Sequence, residues 1–341
     1  METIHQIIVG NSNKMESVND ESVDLIVTSP PYPMIAMWDD MFKSQDDYID
    51  IENNPLGSFI MMHSILDKTW LECYRVLKPG GFMCVNVGDA TRTVNGQFRL
   101  YDNHTQISYY CTMLGLTMLP SIIWRKPTNA PNKFMGSGTL PCGAYVTLEH
   151  EWILIFRKGD KRAFKTDGEK GLRAESSYFW EERNIWFSDL WRLNGIRQVV
   201  GRAGMRHVGA IYPFEIPYRL INMYSLKGDL VLDPFLGTGT TIKAAMACGR
   251  NSIGYEIDGS FASMASETIN DKFVKDCNRI INNRISAHNS FVLERESEGK
   301  SLKYFNENIQ MKVMTKPETK MKFDFIDGVI KDNDVYRVFY C

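Results

Sequence analysis

A glycine-rich turn supplies the first residues whose types and spacing could do chemistry. Gly237 and Gly239 follow the apolar run Leu230–Leu232 and precede a predicted helix at Thr240–Cys248. Glycines let the backbone approach a ligand closely, and the start of a helix favours an anionic group. Glu256 ends the next predicted strand, where a doubly wound fold places a carboxylate that accepts the hydroxyls of a ribose. The turn therefore predicts a nucleoside site.

The same turn lacks the features of two common nucleotide sites. A P-loop needs a lysine after its last glycine, but Thr240 stands there, and a dinucleotide fingerprint needs a third glycine where the chain has Ile242. A pyrophosphate ligand is therefore disfavoured, and a nucleoside with a short carboxylate tail fits better. An ordinary strand-to-helix turn is the alternative. The positions of Asp233 and Glu256 argue against it, because both stand where a ligand site would need a carboxylate.

The segment Ser29-Pro30-Pro31-Tyr32, after the β-branched run Val23–Thr28, forms a second group. Two consecutive prolines remove two backbone N–H groups, so this strand end offers carbonyl acceptors without competing donors. Ser29 adds a side-chain oxygen, and Tyr32 adds a ring for stacking. The combination suits an exocyclic amino group on a flat heterocycle, because both of its hydrogens must be accepted. A stiff loop with a buried tyrosine is the alternative.

Basic residues and tryptophans are concentrated in one part of the chain. The net charge is −2, but residues 120–206 hold 15 Lys and Arg against 9 Asp and Glu, and the remaining residues hold 24 against 32. The same segment contains five of the seven tryptophans. Basic side chains interleaved with flat rings suit a surface that neutralises phosphates and contacts bases. A solvated surface over an aromatic-rich core is the alternative.

The elements that must position these residues alternate between strands and helices. Besides the strands that end at the two motifs, we predict strands at Gln6–Val9, Phe82–Val87, Ser121–Trp124, Trp152–Phe156 and Ser252–Glu256. We predict further helices at 59–77, 214–224 and 261–284, an irregular stretch at 159–204, and a hairpin at 322–340 turning at Asp327-Gly328. This alternation predicts an α/β fold with a doubly wound, mostly parallel sheet.

Composition excludes several classes of protein. The 341 residues are 44% hydrophobic and 23% charged, which is ordinary for a globular chain of one or two domains. We expect neither a membrane span nor a secretory signal. The seven cysteines include no CxxC pair, so we expect small reduced core residues and no metal. His150-Glu151 begins no HExxH zinc motif, because position 154 is Leu154.

Together, the two motifs resemble those of the S-adenosylmethionine-dependent DNA amino-methyltransferases. In that family a (D/N/S)PP(Y/F) tetrapeptide holds the target amino group and a DPFxGSGTT turn binds the methyl donor. Here they read SPPY at Ser29–Tyr32 and DPFLGTGTT at Asp233–Thr241. The tetrapeptide comes first, which resembles the permuted β-group. Four further segments look like those of the family: Tyr74–Gly81, Ile122–Pro127, His150–Lys158 and His207–Pro217.

The resemblance implies a class I methyltransferase fold, Rossmann-like, with an inserted DNA-recognition region and no metal. It implies that a flipped-out base is held by Ser29, Pro30, Pro31 and Tyr32, with Ser29 Oγ and the Pro30 carbonyl accepting its amino hydrogens. It implies that S-adenosylmethionine is held by Asn11, Asp233, Phe235, Gly237, Gly239, Thr240, Thr241 and Glu256. Asn11 stands where the family has an aspartate near the adenine of the donor.

The target atom is inferred from Ser29. In the family a serine here usually accompanies N4 of cytosine, whereas Asp or Asn usually accompanies N6 of adenine. The resemblance thus implies a cytosine-N4-specific methyltransferase, with an adenine-N6 enzyme as the alternative. It implies double-stranded DNA and a restriction endonuclease as partners, in the cytoplasm. A nicotinamide-dependent dehydrogenase, a non-catalytic DNA-binding subunit and an RNA methyltransferase stay open as other classes.

The expected organisation has four segments: 1–158 with the target-base pocket, 159–206 as the candidate target-recognition region, 207–285 with the methyl-donor site, and 286–341 as a C-terminal extension. Arginine side chains can read guanine edges. Five arginines of the recognition region are therefore candidates for contacts with DNA: Arg173, Arg183, Arg192, Arg197 and Arg202.

Overall fold

The computed structural model describes residues 1–126, 135–136, 139–195 and 212–341. The strands, in chain order, are β1 (Glu2–Val9), β2 (Val23–Thr28), β3 (Leu77–Val87), β4 (Ala90–Val94), β5 (Gln97–Tyr101), β6 (Leu116–Arg125), β7 (Met135–Gly136), β8 (Ala144–Tyr145), β9 (His150–Lys158), β10 (Leu190–Arg192), β11 (Leu230–Asp233), β12 (Asn251–Glu256), β13 (Tyr304–Asn306), β14 (Met311–Val313), β15 (Ile326–Asp332) and β16 (Val335–Tyr340). The α-helices are α1 (Asp39–Lys43), α2 (Pro55–Val76), α3 (Asn103–Met113), α4 (Asp167–Glu175), α5 (Trp180–Trp186), α6 (Glu215–Tyr224), α7 (Thr240–Ala247), α8 (Gly259–Glu267) and α9 (Asp271–Ser297).

Within the described residues, ten strands form one sheet in the order β10–β6–β9–β3–β2–β11–β12–β1–β16–β15. The run β3–β2–β11–β12–β1 and the pair β6–β10 are parallel. In this sheet β9 and β16 run opposite to the other eight strands, which all point the same way. The predicted doubly wound, mostly parallel α/β fold is confirmed.

Helices cover both faces of the sheet, which explains why its central strands read as continuous apolar runs. All of β2 is buried. One face packs against α6 and α7, through side chains such as Ile221 and Ile242. The other face packs against α2 and α3, through side chains such as Trp70 and Ile107. Asn54 caps α2 by accepting a hydrogen bond from Gly57 N, and Pro55 occupies its first turn.

The stretch expected to be irregular after Gly159 is instead structured in its described part. A capping box starts α4, because Thr166 Oγ1 accepts from Glu169 N while the Glu169 carboxylate accepts from Thr166 N. Strand β10 then joins the main sheet as its edge, parallel to β6. The prediction failed because glycines and charges between short elements resemble a loop. This part of the candidate recognition region is therefore continuous with the main sheet.

Two predictions near the C-terminus are also corrected. The single helix expected to end at Arg284 is two helices, because Asn270 accepts from the first backbone N–H groups of α9 and begins a new helix. The hairpin exists, but it turns at Asn333, which adopts a positive φ of 53°, whereas Gly328 lies at a register shift within β15. Helix α9 crosses the segment boundary expected at residue 285, and β16 extends the sheet beside β1.

Among the described residues there is no paired thiol, no membrane-spanning helix and no metal-binding cluster. Five cysteines are buried and two, Cys142 and Cys341, are exposed, all with free thiols. No described helix is long and apolar enough to cross a membrane. In the described ranges, no cluster of His, Cys, Asp or Glu side chains is arranged to hold a metal ion.

Candidate active site

The two motifs meet at one side of the sheet. Strands β1, β12, β11, β2 and β3 are parallel neighbours, so their carboxyl ends lie side by side. We call the end of the sheet at which these parallel strands finish the carboxyl edge, and the end at which they begin the amino edge. Ligands of doubly wound folds bind outside the carboxyl ends of the strands. Sequence-distant loops are therefore brought together where chemistry is expected.

A cavity of about 420 Å³ opens at the carboxyl edge. Its walls contain the whole tetrapeptide and part of the predicted donor site: Ser29, Pro30, Pro31, Tyr32, Asn11, Phe235, Gly237, Thr240 and Glu256. The structure thus joins the two motifs in a single enclosure. Three residues predicted to bind the donor are not in its walls: Asp233, Gly239 and Thr241.

Asp233 lies beneath the cavity and links the two motifs. Its Oδ1 accepts hydrogen bonds from Thr28 Oγ1 at 2.6 Å and from Phe235 N at 3.1 Å. The side chain is almost fully buried, and this burial raises the pKa of the carboxyl to about 6, against the hydrogen bonds that lower it. Asp233 therefore fixes the start of the donor turn to the end of the strand that carries Ser29.

Gly239 and Thr241 shape the turn from outside the cavity. Gly239 has a φ of 79°, and a Cβ there would come within 2.8 Å of Ala265 Cβ, so only glycine fits without movement. The Thr241 hydroxyl bonds the Tyr212 hydroxyl. Tyr212 itself lines the cavity, and burial raises the pKa of its hydroxyl. These residues hold the turn in position and leave Thr240 exposed to the cavity.

Glu256 ends β12 with its carboxylate directed at the donor turn. One oxygen accepts from Gly237 N at 2.7 Å, and the other accepts from Asp258 N at 2.9 Å. Burial raises the pKa of this carboxyl, and the two backbone hydrogen bonds oppose the shift. Because each carboxylate oxygen has a second lone pair, Glu256 can still accept from a ligand.

A further wall was not found from the sequence. It lies between β2 and α2 and contributes Met37, Trp38, Met41, Phe42 and Gln45 to the cavity. Gln45 Oε1 accepts from Asn11 Nδ2 at 3.2 Å, which joins this wall to the end of β1. The lining positions of this segment recur at i, i+4 spacing, and the structure forms α1 (Asp39–Lys43) there. The helical spacing of these methionines and aromatics was the available signal.

Ser29 and Tyr32 belong to a buried hydrogen-bond network that the sequence did not reveal. Tyr32 OH lies 3.0 Å from Ser29 Oγ and donates to Glu151 Oε2 at 2.9 Å. Asn86 Nδ2 donates to Tyr32 OH at 2.9 Å and to Glu151 Oε2 at 2.6 Å. The ammonium of Lys126 pairs with the other oxygen of Glu151. Because β9 is antiparallel, its beginning places Glu151 at the carboxyl edge.

The candidate DNA-contacting arginines fall in different places. Arg173 and Arg162 both lie over the ring of Phe164. The Arg162 guanidinium donates at 2.6 Å to Asp229, the residue just before β11 begins. Arg173 therefore lies by the amino edge. Arg192 is exposed at the end of β10, by the carboxyl edge.

Arg183 lies 6.0 Å from the ring of Phe187, which packs near Tyr224 at the end of α6. Since α6 ends shortly before β11 begins, Arg183 also lies nearer the amino edge. The candidates Arg197 and Arg202 lie outside the described residues.

Solved structures share this architecture. The protein TTHA0409 of Thermus thermophilus, solved in complex with S-adenosyl-L-methionine, is 30% identical over 80% of this chain and 96% of its own, with a TM-score of 0.61. The PvuII DNA methyltransferase (cytosine-N4-specific) is 20% identical over 82% of this chain and 93% of its own, with a TM-score of 0.56, and indicates the fold alone. The fold is that of a class I methyltransferase.

Sequence comparisons define the class further. The DNA methylase family, of the N6/N4 methyltransferase type, matches residues 23–267. The type II methyltransferase M.MthZI of Methanothermobacter thermautotrophicus is 48% identical over 100% of this chain and 96% of its own length. The type II methyltransferase M.MjaI of Methanocaldococcus jannaschii is 49% identical over 79% of this chain and 92% of its own. The chain belongs to the DNA methylase family, as the two motifs indicated.

Proposed function

We propose that this chain is a site-specific DNA methyltransferase that transfers a methyl group from S-adenosylmethionine to the exocyclic N4 amine of a flipped-out cytosine. The observation that carries the proposal is the single cavity shared by Ser29–Tyr32, the donor turn and Glu256. Relatives named type II methyltransferases support a restriction-modification setting. We therefore propose a partner restriction endonuclease and a cytoplasmic location.

The walls of the cavity fit the methyl donor. Glu256 offers free lone pairs for two ribose hydroxyls. The Thr240 hydroxyl and the backbone N–H groups at the start of α7 suit the carboxylate of a methionine, and Asn11 can bond an adenine edge. When bound, S-adenosylmethionine supplies an electrophilic methyl group, so the task that remains for the protein is positioning of the nucleophile.

Ser29 and the Pro30 carbonyl act on the target amine. The amino nitrogen of cytosine is a poor nucleophile because its lone pair is delocalised into the ring. When Ser29 Oγ and the Pro30 carbonyl accept its two hydrogens, the lone pair localises towards the methyl group. Tyr32 stacks on the flipped base and offsets part of the unstacking cost. The serine in the tetrapeptide favours N4 of cytosine, and N6 of adenine is the second candidate because the family joins both types.

DNA approaches across the carboxyl edge. Arg192, Arg125 and His150 are register partners on the neighbouring strands β10, β6 and β9. Partners in register share one face of a sheet, and Arg192 and Arg125 are exposed. Lys126 follows Arg125 and Glu151 follows His150 in the chain, so the row lies beside the network behind the tetrapeptide. We place the DNA backbone along this row, where the Arg192 guanidinium neutralises a phosphate, whereas Arg125 is paired with Glu149 at 3.0 Å.

Methyl transfer into unmethylated genomic DNA tests the proposal. The purified chain is incubated with S-adenosylmethionine labelled in the methyl group and with either duplex DNA or RNA, and the polymer is digested to nucleosides. We expect label in DNA, as N4-methylcytosine. Label found only as N6-methyladenine selects the second candidate and overturns the cytosine assignment. Label confined to RNA, or no transfer to either polymer, contradicts the proposal.

A further inference from the structure

In the buried network behind the tetrapeptide, the direction in which each hydrogen bond is donated can be assigned. Glu151 is only 9% exposed, and the Lys126 ammonium pairs with its carboxylate. An ionised carboxylate has no hydrogen to give, so it accepts every hydrogen bond that it makes. Tyr32 OH and Asn86 Nδ2 both donate to its Oε2. Glu151 is therefore the acceptor at the end of the network.

The single hydrogen of Tyr32 is thereby committed. A phenol has one O–H, and this one points at Glu151 Oε2, so its oxygen is left to accept. Asn86 Nδ2 donates to that oxygen at 2.9 Å, and the amide cannot be reversed without aiming its oxygen at the carboxylate. Burial raises the pKa of the Tyr32 hydroxyl well above its usual value, and the charge of Glu151 adds to this shift. Tyr32 thus stays a neutral donor to Glu151.

The same argument fixes the hydrogen of Ser29. Ser29 Oγ lies 3.0 Å from the Tyr32 oxygen, whose own hydrogen is already used. The hydrogen in this contact must therefore come from Ser29. With its O–H turned towards Tyr32, Ser29 Oγ can only accept further hydrogen bonds. Asn86 Nδ2 donates to it at 3.4 Å, which leaves the other lone pair for the cavity that Ser29 lines and where the target amine would lie.

We propose that Glu151 is a positioning residue that acts through Tyr32 to keep Ser29 a hydrogen-bond acceptor for the target amine. The direction of donation runs from the amine to Ser29, then to Tyr32, then to Glu151. This inference rests on the proposed function, in which Ser29 accepts an amino hydrogen. It assigns to Tyr32 a second role besides stacking, and it gives Glu151 a role although it does not line the cavity.

A substitution that reverses the direction of hydrogen-bond donation tests the proposal. In Glu151→Gln the side-chain amide can donate to the Tyr32 oxygen, which lets the Tyr32 hydrogen turn to Ser29 and occupy its lone pair. We expect the kcat for DNA methylation to fall roughly 10- to 100-fold, with the KM for S-adenosylmethionine unchanged. In a Tyr32→Phe background the same Glu151→Gln change should have no further effect, because there is no hydroxyl to turn.

Glu149→Gln is the matched control. It removes a carboxylate two residues away that pairs with Arg125 at 3.0 Å and has no part in the network, so kcat at saturating DNA should stay at the wild-type value. A Glu151→Gln loss of equal size with and without the Tyr32 hydroxyl would overturn the proposal, because a merely structural role acts in both backgrounds. An unchanged kcat in Glu151→Gln would overturn it as well.

A second cycle covers the case in which Glu151→Gln does not fold. Tyr32→Phe is then compared in the wild type and in Ser29→Ala, and its effect should vanish when no serine hydroxyl remains. Equal losses in both backgrounds would contradict the proposal. The wild-type product is analysed first, since an inactive wild type would refute the proposed function itself, whereas an active wild type with additive losses refutes only the role of Glu151.

Discussion

The two edges of the sheet use their polar side chains differently. At the carboxyl edge, Glu256 and Ser29 face a cavity of about 420 Å³ and keep lone pairs available to a ligand. At the amino edge, charges are used against one another: Asp24 pairs with Lys78, and Asp229 pairs with Arg162. A cavity near this edge has a volume of only about 30 Å³. The functional edge is thus distinguished by polar groups that remain available to a ligand.

This difference shows that the cations of the basic segment at residues 120–206 do not all serve DNA binding. Lys158 donates to the carbonyl oxygens of Tyr74 and Leu77, and Arg162 neutralises Asp229. Both cations contribute to the local charge of +6 yet serve the fold. An excess of positive charge along the chain predicts an affinity for polyanions, but only its placement in the fold tells which cations are free to bind DNA.

Removal of the Ser29 hydroxyl should have the largest effect at the carboxyl edge. In Ser29→Ala the target amine loses one acceptor, and we expect single-turnover methyl transfer to fall by about 10²–10³, as when one preorganised partner of a transition state is removed. Binding of S-adenosylmethionine, measured by calorimetry, should be unchanged. Ser22→Ala, at a serine that bonds the Asn19 carbonyl in an exposed turn, is the matched control. Full activity of Ser29→Ala would remove Ser29 from the mechanism.

Asp233, at the carboxyl edge, should make the free energy of unfolding of the protein depend on pH. Its folded pKa of about 6 exceeds the usual 3.8, so the folded state binds more protons and loses stability as pH rises from about 4 to 6. Asp233→Asn does not titrate, so its free energy of unfolding should gain on that of the wild type by up to about 3 kcal/mol across this range. Urea titrations at pH 4.5 and 7 measure the gain. A difference between the two proteins that does not vary with pH would contradict this assignment.

A substitution at the amino edge should affect stability and leave catalysis intact. Arg162→Met removes the guanidinium from buried Asp229, which keeps only the backbone hydrogen bond from Leu226 N. Because the Arg162 side chain is 39% exposed and solvent screens the pair, we expect a loss of only about 1–2 kcal/mol in the free energy of unfolding, with kcat unchanged. Lys161→Met at the exposed neighbour should change neither quantity. A loss of kcat would show that the amino edge takes part in catalysis.

The smallest effect separates two arginines on opposite edges. Arg192→Ala should raise the KM for DNA by about three- to tenfold and lower the dependence of binding on log salt by about one, because one phosphate contact is lost. Arg173→Ala removes the same side chain near the amino edge and should leave both quantities unchanged. Filter binding across a salt series measures the two slopes. The reverse pattern would place DNA at the amino edge.

The parts of the molecule that sequence could predict are those with local signals. The central strands, the glycine-rich turn and the Ser29–Tyr32 tetrapeptide were all found because apolar runs, glycines and prolines act within a few residues. Glu151 was not found, since it enters the site only through the antiparallel pairing of β9 with β3. The same holds for β10, a three-residue strand whose existence depends on β6 beside it.

Hydrogen–deuterium exchange in the presence of S-adenosylmethionine and duplex DNA tests most directly the claim that both substrates bind at the carboxyl edge. We expect new protection in peptides that cover 10–12, 29–45, 234–240 and 256–258, and in β10 once DNA is added. The peptides over 162–175 at the amino edge should exchange as in the free protein. Protection confined to 162–175, with the tetrapeptide and donor turn unchanged, would contradict the account.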